Sequence, residues 1–203
     1  MLINKFLEKV FSAPSNVTVL RILNERVTGL TGRETARLAG ITHRSALKTL
    51  STLESLKIVK RQTGGRDYLF TLNRNNYIAQ NIITKIFENE QQFFFKIKSL
   101  IKKRIGKYST SLIIFGSVAR KEEKIDSDLD LCIVFQKDKN ILEEKVHLLA
   151  DDLMEYFSVH LAPFYISKSE FKRRAKIGKA PIKDVIENGI VISGKPINIL
   201  IHG

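Results

Sequence analysis

The sequence predicts a chain of α/β class in two unlike halves, and three observations predict it. Residues 10–75 string together three helical patterns and a glycine-centred hairpin, residues 75–105 hold a helical period without Pro or Gly, and residues 108–203 alternate short apolar strands with helices. Charge divides along the same line: residues 1–107 hold 20 Lys and Arg against 7 Asp and Glu, whereas residues 108–203 hold 14 of each. The net +13 therefore belongs wholly to the first half, which points to a polyanion partner there, with nucleic acid the commonest candidate. A hydrophobic fraction of 43% is enough for a buried core. No apolar run approaches the roughly 20 residues a membrane span needs, and the first residues hold too short an apolar stretch for a signal peptide, so a cytoplasmic protein is expected. The single cysteine, Cys132, lies in an apolar run and reads as a small buried hydrophobe.

In the basic half, Val17, Leu20, Leu23 and Val27 recur at helical spacing and predict a first helix over 15–27. Thr31 followed by Glu34 is a capping-box pattern, and Gly40 suits the end of that second, short helix. Thr42 can cap a third helix with Ala46, Leu50, Leu53 and Leu56 on one face and His43, Arg44, Lys48 and Ser51 on the other. Two β-like runs then flank "TGGRD", where paired glycines suit a hairpin turn. This order resembles the winged helix-turn-helix family over about residues 10–75. The resemblance implies an α+β winged helix that lays its third helix in the major groove and its hairpin along the backbone. Arg44 and Lys48 on that helix, Arg66 in the wing and Lys60 and Arg61 along its strand are the candidate DNA contacts.

Residues 75–105 place apolar side chains at 78, 82, 86, 93, 97, 101 and 105 and predict a long linker helix, its stripe interrupted by the polar "ENEQQ". Phe93, Phe94 and Phe95 exceed one stripe, so part of the trio should meet another element, which leaves room for a homodimer.

In the neutral half, "SLIIF" predicts a buried strand that ends at Gly116, and "SVARKEE" opens a helix whose start can bind phosphate. The following "SDLDLCIVF" predicts a second strand on which Asp128 and Asp130 project to one face. Hard oxygen ligands in such a pair suit Mg²⁺ together with the phosphates of a nucleotide.

Gly116-Ser117, ten residues, then Asp128-x-Asp130 resembles the minimal nucleotidyltransferases of the DNA polymerase β superfamily over about residues 108–195. That resemblance implies a polymerase-β-like nucleotidyltransferase domain with a mixed sheet. It further implies transfer of a nucleoside monophosphate from an NTP, ATP foremost, to a protein or RNA hydroxyl. Gly116 and Ser117 would hold phosphates, and Asp128 and Asp130 would bind Mg²⁺ and carry the chemistry. Two departures stand out: Lys121 where the family often has Gly, and no third carboxylate on "SVHLAPFYI", where His160 stands instead. Asp151 and Asp152 read as solvated, and Glu170 as part of a helix start after Ser167. The expected organisation is 1–75 winged helix-turn-helix, 76–107 connecting helix and 108–203 nucleotidyltransferase domain. Two other readings stay open: a DNA-binding transcriptional regulator with a degenerate, nucleotide-sensing transferase-like domain, and an antitoxin acting on a toxin-like protein partner.

Overall fold

The computed structural model describes residues 4–135 and 139–202; residues 1–3, 136–138 and 203 of the expected spans lie outside the described residues. The chain divides into two compact units, Met1–Gln92 and Phe93–Gly203. Among the described residues no helix is long and apolar enough to cross a membrane.

The first unit runs α1 (Phe6–Val10), α2 (Pro14–Asn24), β1 (Leu30–Thr31), α3 (Gly32–Ala39), α4 (His43–Ser55), β2 (Val59–Gly64) and β3 (Asp67–Leu72). Pro14 opens α2 at a position where a missing N–H costs nothing. That helix stops at Asn24, short of the expected Val27, which is 89% exposed. The Arg74 guanidinium donates to the carbonyls of Asn24 and Arg26 at 2.8 and 3.3 Å, giving the terminal acceptors a partner outside the helix. The expected capping box is formed at α3: Thr31 Oγ1 accepts from the Glu34 N–H at 3.2 Å, and the Glu34 carboxylate accepts from the Thr31 N–H at 2.8 Å. Gly40 ends α3 at φ 62°, and Thr42 Oγ1 accepts from the Ser45 N–H to start α4. Strands β2 and β3 pair from Val59↔Leu72 to Gly64↔Asp67 around a two-residue turn, Gly65-Arg66, and β1 adds to β3. Leu20 and Leu23 of α2, Leu50 and Leu53 of α4, and Phe70 and Leu72 of β3 share the core.

A π-helical turn over Ala79–Ile83 leads into α5 (Thr84–Ile105), which is unbroken through the polar "ENEQQ". The buried positions ahead of that patch are Ala79, Ile83 and Phe87, each one residue later than the expected 78, 82 and 86; Ile86 is exposed. Ala79, Ile83 and Phe87 pack into the core of the first unit, whereas the positions beyond the patch pack into that of the second, so the segment carries two buried faces rather than one stripe. Beyond the patch, Ile97, Ile101 and Ile105 are buried as the spacing predicts.

The second unit continues with β4 (Ser111–Ile114), α6 (Gly116–Arg120), β5 (Leu129–Phe135), α7 (Lys139–Phe157), β6 (Leu161–Ser167), α8 (Lys168–Ile177), α9 (Ile182–Asn188), β7 (Ile190–Gly194) and an unanticipated α10 (Ile197–His202). Its four strands lie in the order β6-β5-β4-β7, with β5 and β6 parallel and the other pairs antiparallel, so the sheet is mixed. Side chains alternate across β5. Leu129, Leu131 and Ile133 enter one core with Ile97, Ile101 and Ile105 of α5 and Leu142, Val146 and Leu149 of α7. Cys132 and Val134 enter the opposite core with Phe171 of α8, Ile182 and Val185 of α9, and Leu200 of α10. Cys132 is fully buried and its thiol is pushed up to about 12 by that burial, in keeping with a packing role.

Candidate active site

Strand β4 delivers the chain to Gly116 beside the first residues of β5, where the Phe115 N–H donates to the Asp130 carbonyl at 3.1 Å. Gly116 has φ 72°, and a Cβ built there would overlap Asp130 Oδ2. The Asp130 carboxylate thus lies flat against the Gly116 backbone, and only glycine leaves room for it. Asp130 is the second residue of β5 and is half-buried; Asp128 is exposed, one residue ahead of the strand. The Leu129 N–H donates to the His160 carbonyl at 2.8 Å, which holds the start of β5 to the chain entering β6.

A residue that the sequence reading passed over completes the cluster. Asp184, in the first turn of α9, accepts from the Gly116 N–H at 3.0 Å through Oδ2. Both of its oxygens accept from Arg120 Nη1 at 2.9 Å, and Asn188 donates to Oδ1 at 2.8 Å. Burial raises the Asp184 carboxyl, but the bonds from Asn188, Arg120 and the Gly116 amide outweigh it and hold the group below its ordinary value. Asp130 moves the other way: burial raises it, then the negative charges of Asp128 and Asp184, against a smaller opposing pull from Arg120. Three carboxylates therefore crowd one glycine turn, with Arg120 as the cation among them. Asp184 was illegible in sequence because it sits 68 residues from Gly116, on a helix rather than on the later strand where a third acid was sought.

The crowding bears on Mg²⁺. Among the described residues no group of three His, Cys, Asp or Glu side chains is placed to hold a metal ion. Asp128 and Asp130 nevertheless fit a hard divalent cation as a pair of oxygen donors whose mutual repulsion such a charge would relieve. His160 is exposed just before β6, and Asp152 is not merely solvated, since Arg104 holds it at 2.7 Å. Glu170 starts α8 as expected, its N–H donating to Ser167 Oγ at 3.2 Å. Lys121, the residue where a glycine was expected, has φ 59°, so the turn after α6 does adopt the left-handed backbone that glycine takes without cost.

In the first unit, the five basic candidates are all exposed. Arg44 and Lys48 are one turn apart on α4 and share a face. Lys60 and Arg61 are neighbours on β2 and so point to opposite sides of the sheet, while Arg66 is at the hairpin tip. Arg61 is engaged within the unit: it pairs with Glu54 at 3.1 Å and lies over the Tyr68 ring at 4.6 Å. These contacts close one side of a groove of about 440 Å³ between α4 and the hairpin, lined by His43, Leu47 and Tyr68 among others.

Residues 96–192 match a nucleotidyltransferase domain. The match begins within α5 and ends within β7, so the glycine turn, both strand aspartates and Asp184 all fall among the matched residues. The chain matches no curated protein. Among solved structures it is similar to a toxin-antitoxin crystallised with AMP-PNP, at 18% identity over 53% of this chain and 79% of that one, with a TM-score of 0.37. It is also similar to human N-acetylserotonin methyltransferase in complex with SAM, at 16% identity over 52% of this chain and 33% of that one, TM-score 0.31. A third is TrmBL2, an archaeal chromatin protein, at 16% identity over 90% of this chain and 73% of that one, TM-score 0.28.

Proposed function

We propose that the nucleotidyltransferase domain moves a nucleoside monophosphate from an NTP, ATP foremost, to a hydroxyl of a protein or RNA, and that the first unit is a winged helix-turn-helix that binds DNA. The observation that carries the first part is the Asp130 carboxylate laid against a positive-φ Gly116, which sets an acidic strand end directly beside a glycine turn. In this reading the acceptor oxygen attacks the α-phosphorus, the bond from that phosphorus to pyrophosphate breaks, and the hydroxyl proton leaves to a base or to water. Asp128 and Asp130 would hold Mg²⁺, whose charge, when bound, offsets that of the phosphates. The Gly116 N–H is engaged by Asp184, so the Ser117 N–H, which has no acceptor within its own helix, is the donor the turn offers to phosphate. Arg120, fixed by Asp184 and by Glu122 at 2.9 Å, places a cation at the same turn.

Support for the second part is the run of α2, α3, α4 and the β2–β3 hairpin, with Arg44 and Lys48 exposed together on α4. Lys60, Arg61 and Arg66 would follow the backbone along the hairpin, Arg61 only after leaving Glu54.

The test incubates wild-type protein and the Asp128→Asn, Asp130→Asn variant with Mg²⁺, host lysate and NTPs labelled at the α-phosphate. Label on a macromolecule with wild type alone is expected, and it identifies the acceptor. Equal labelling by both proteins, or Mg²⁺-dependent nucleotide affinity unchanged in the variant, overturns the assignment of the two aspartates. For the first unit, Arg44→Ala with Lys48→Ala should weaken DNA binding and lower its salt slope by roughly 2. Undiminished DNA affinity would sink the DNA-binding reading.

A further inference from the structure

Basic residues stand on both sides of the second unit's sheet. One face is covered by α7, with Glu143, Glu144, Asp151, Asp152 and Glu155 against Lys139 and Lys145, and by the end of α5, which adds Lys96, Lys98, Lys102, Lys103 and Arg104. The opposite face is covered by α8, α9 and α10, and residues 168–183 there hold seven Lys and Arg against one acid, Glu170. Glu170 is engaged by Arg173 and Arg174, each at 2.6 Å. Among the described residues, Lys168, Lys172, Lys176 and Lys179 make no ion pair, and Lys183 makes only a loose one, 3.9 Å from Glu187. Asp130 alternates with Leu129 and Leu131, so it faces the side covered by α8 and α9.

The basic residues form a track rather than a scatter. Lys168, Lys172 and Lys176 recur every fourth residue on α8 and make one ridge about 12 Å long at 1.5 Å per residue. Strand β6 runs parallel to β5, so it ends away from Asp128 and Asp130, and α8 then returns over the sheet toward them. The ridge continues through Lys179 to Lys183, whose N–H reaches the Lys179 carbonyl at 3.3 Å and which directly precedes Asp184. The track therefore ends at the glycine turn.

We infer that this track binds the phosphodiester backbone of a nucleic acid and leads its hydroxyl-bearing end to the Gly116 turn, so that the acceptor is a polynucleotide rather than a protein. The inference rests on the transfer reading above and narrows its acceptor. Length separates it from a seat for the NTP alone: the α8 ridge spreads three unpaired lysines over about 12 Å, which suits successive phosphates of a strand better than the clustered phosphates of one nucleotide. An acidic protein would match the charge but not the even, single-file spacing.

The test uses the full chain with Arg44→Ala and Lys48→Ala in place, so that the α4 face does not dominate, and adds Lys176→Glu with Lys179→Glu. Binding of fluorescein-labelled single-stranded RNA and DNA of about 16 nucleotides is measured at about 50 and 200 mM salt, and binding of a fluorescent ATP analogue with Mg²⁺ is measured alongside. The charge reversal should weaken polynucleotide binding at least tenfold at the lower salt and lower the salt slope by about 1.4, or about 0.7 for each phosphate no longer neutralised, with ATP affinity changed less than twofold. Lys176→Gln with Lys179→Gln should show a smaller loss in the same direction, which covers the case of a misfolded Glu variant. Loss with RNA alone assigns the track to RNA, and loss with both assigns it to single strands generally. Unchanged polynucleotide affinity and slope overturns the inference, as does a loss confined to ATP. Because binding is read without turnover, a chain that transfers nothing yet loses RNA in this variant would fail the transfer reading and keep the track.

Discussion

Helices α4 and α6 both begin with backbone N–H groups that need an acceptor, and they find it in opposite ways. At α4 the Ser45 N–H is met by Thr42, three residues earlier. At α6 no neighbouring side chain caps the start, and the Gly116 N–H is met by the Asp184 carboxylate from α9. A local cap stabilises one helix and does little else. A cap delivered from 68 residues away ties two helices to one loop and brings a negative charge to within hydrogen-bonding distance of Gly116, where Asp130 already lies. The first is a folding device. The second has the mark of a site, where charges are brought together at a cost to the fold.

Substitutions at five positions test that contrast. Gly116→Ala should have the largest effect, because it forces a left-handed backbone on a residue with a Cβ and drives that carbon into Asp130. A loss of about 3 kcal/mol in chemical denaturation is expected, together with loss of nucleotide binding. Wild-type stability in this variant would mean that Asp130 does not lie against the turn.

Next, Asp184→Ala should cost about 1–2 kcal/mol, the usual worth of charge-assisted bonds at a partly exposed site, and should weaken nucleotide binding as well. Its acid dependence separates it from Asp130. The Asp184 value is lowered in the fold, so its contribution is present above the unfolded carboxyl range and is lost as pH falls through the folded value. Asp130 is raised, so its ionised form opposes folding, and stability is regained as pH falls through its folded value. Asp130→Asn should accordingly raise the neutral-pH Tm while Asp184→Asn lowers it; shifts of the same sign would contradict the crowding of the three acids.

Thr42→Ala should cost about 1 kcal/mol and leave nucleotide binding untouched, since its cap serves α4 alone. Weakened nucleotide binding in this variant would show that the local cap is not confined to folding. The smallest change, Lys121→Gly, should gain up to about 1 kcal/mol by relieving the left-handed backbone after α6. A loss of stability there would show that the Lys121 side chain makes up for its backbone.

What the sequence by itself determined were features whose cause lies within a few residues. The Thr31–Glu34 box, the Gly40 stop, the Thr42 cap, the existence of the β2–β3 hairpin and the alternation along β5 all follow from short-range hydrogen bonding and side-chain period, though the hairpin turns on Gly65-Arg66 rather than on the two glycines. The Gly116-Ser117 and Asp128, Asp130 spacing was legible for the same reason, because one turn and one strand start place those four residues together. Only the tertiary structure decided what depends on chain segments that meet from afar. The linker buries one face in each of two cores, Arg74 meets the carbonyl at the end of α2, and Arg61 is taken up by Glu54 and Tyr68. Asp184 belongs to the same group: nothing in "IKDVIEN" marks its carboxylate apart from any other in a first helical turn. The packing of α9 beside α6 aims it at the Gly116 amide, and sequence spacing carries no record of which loop a distant helix will meet.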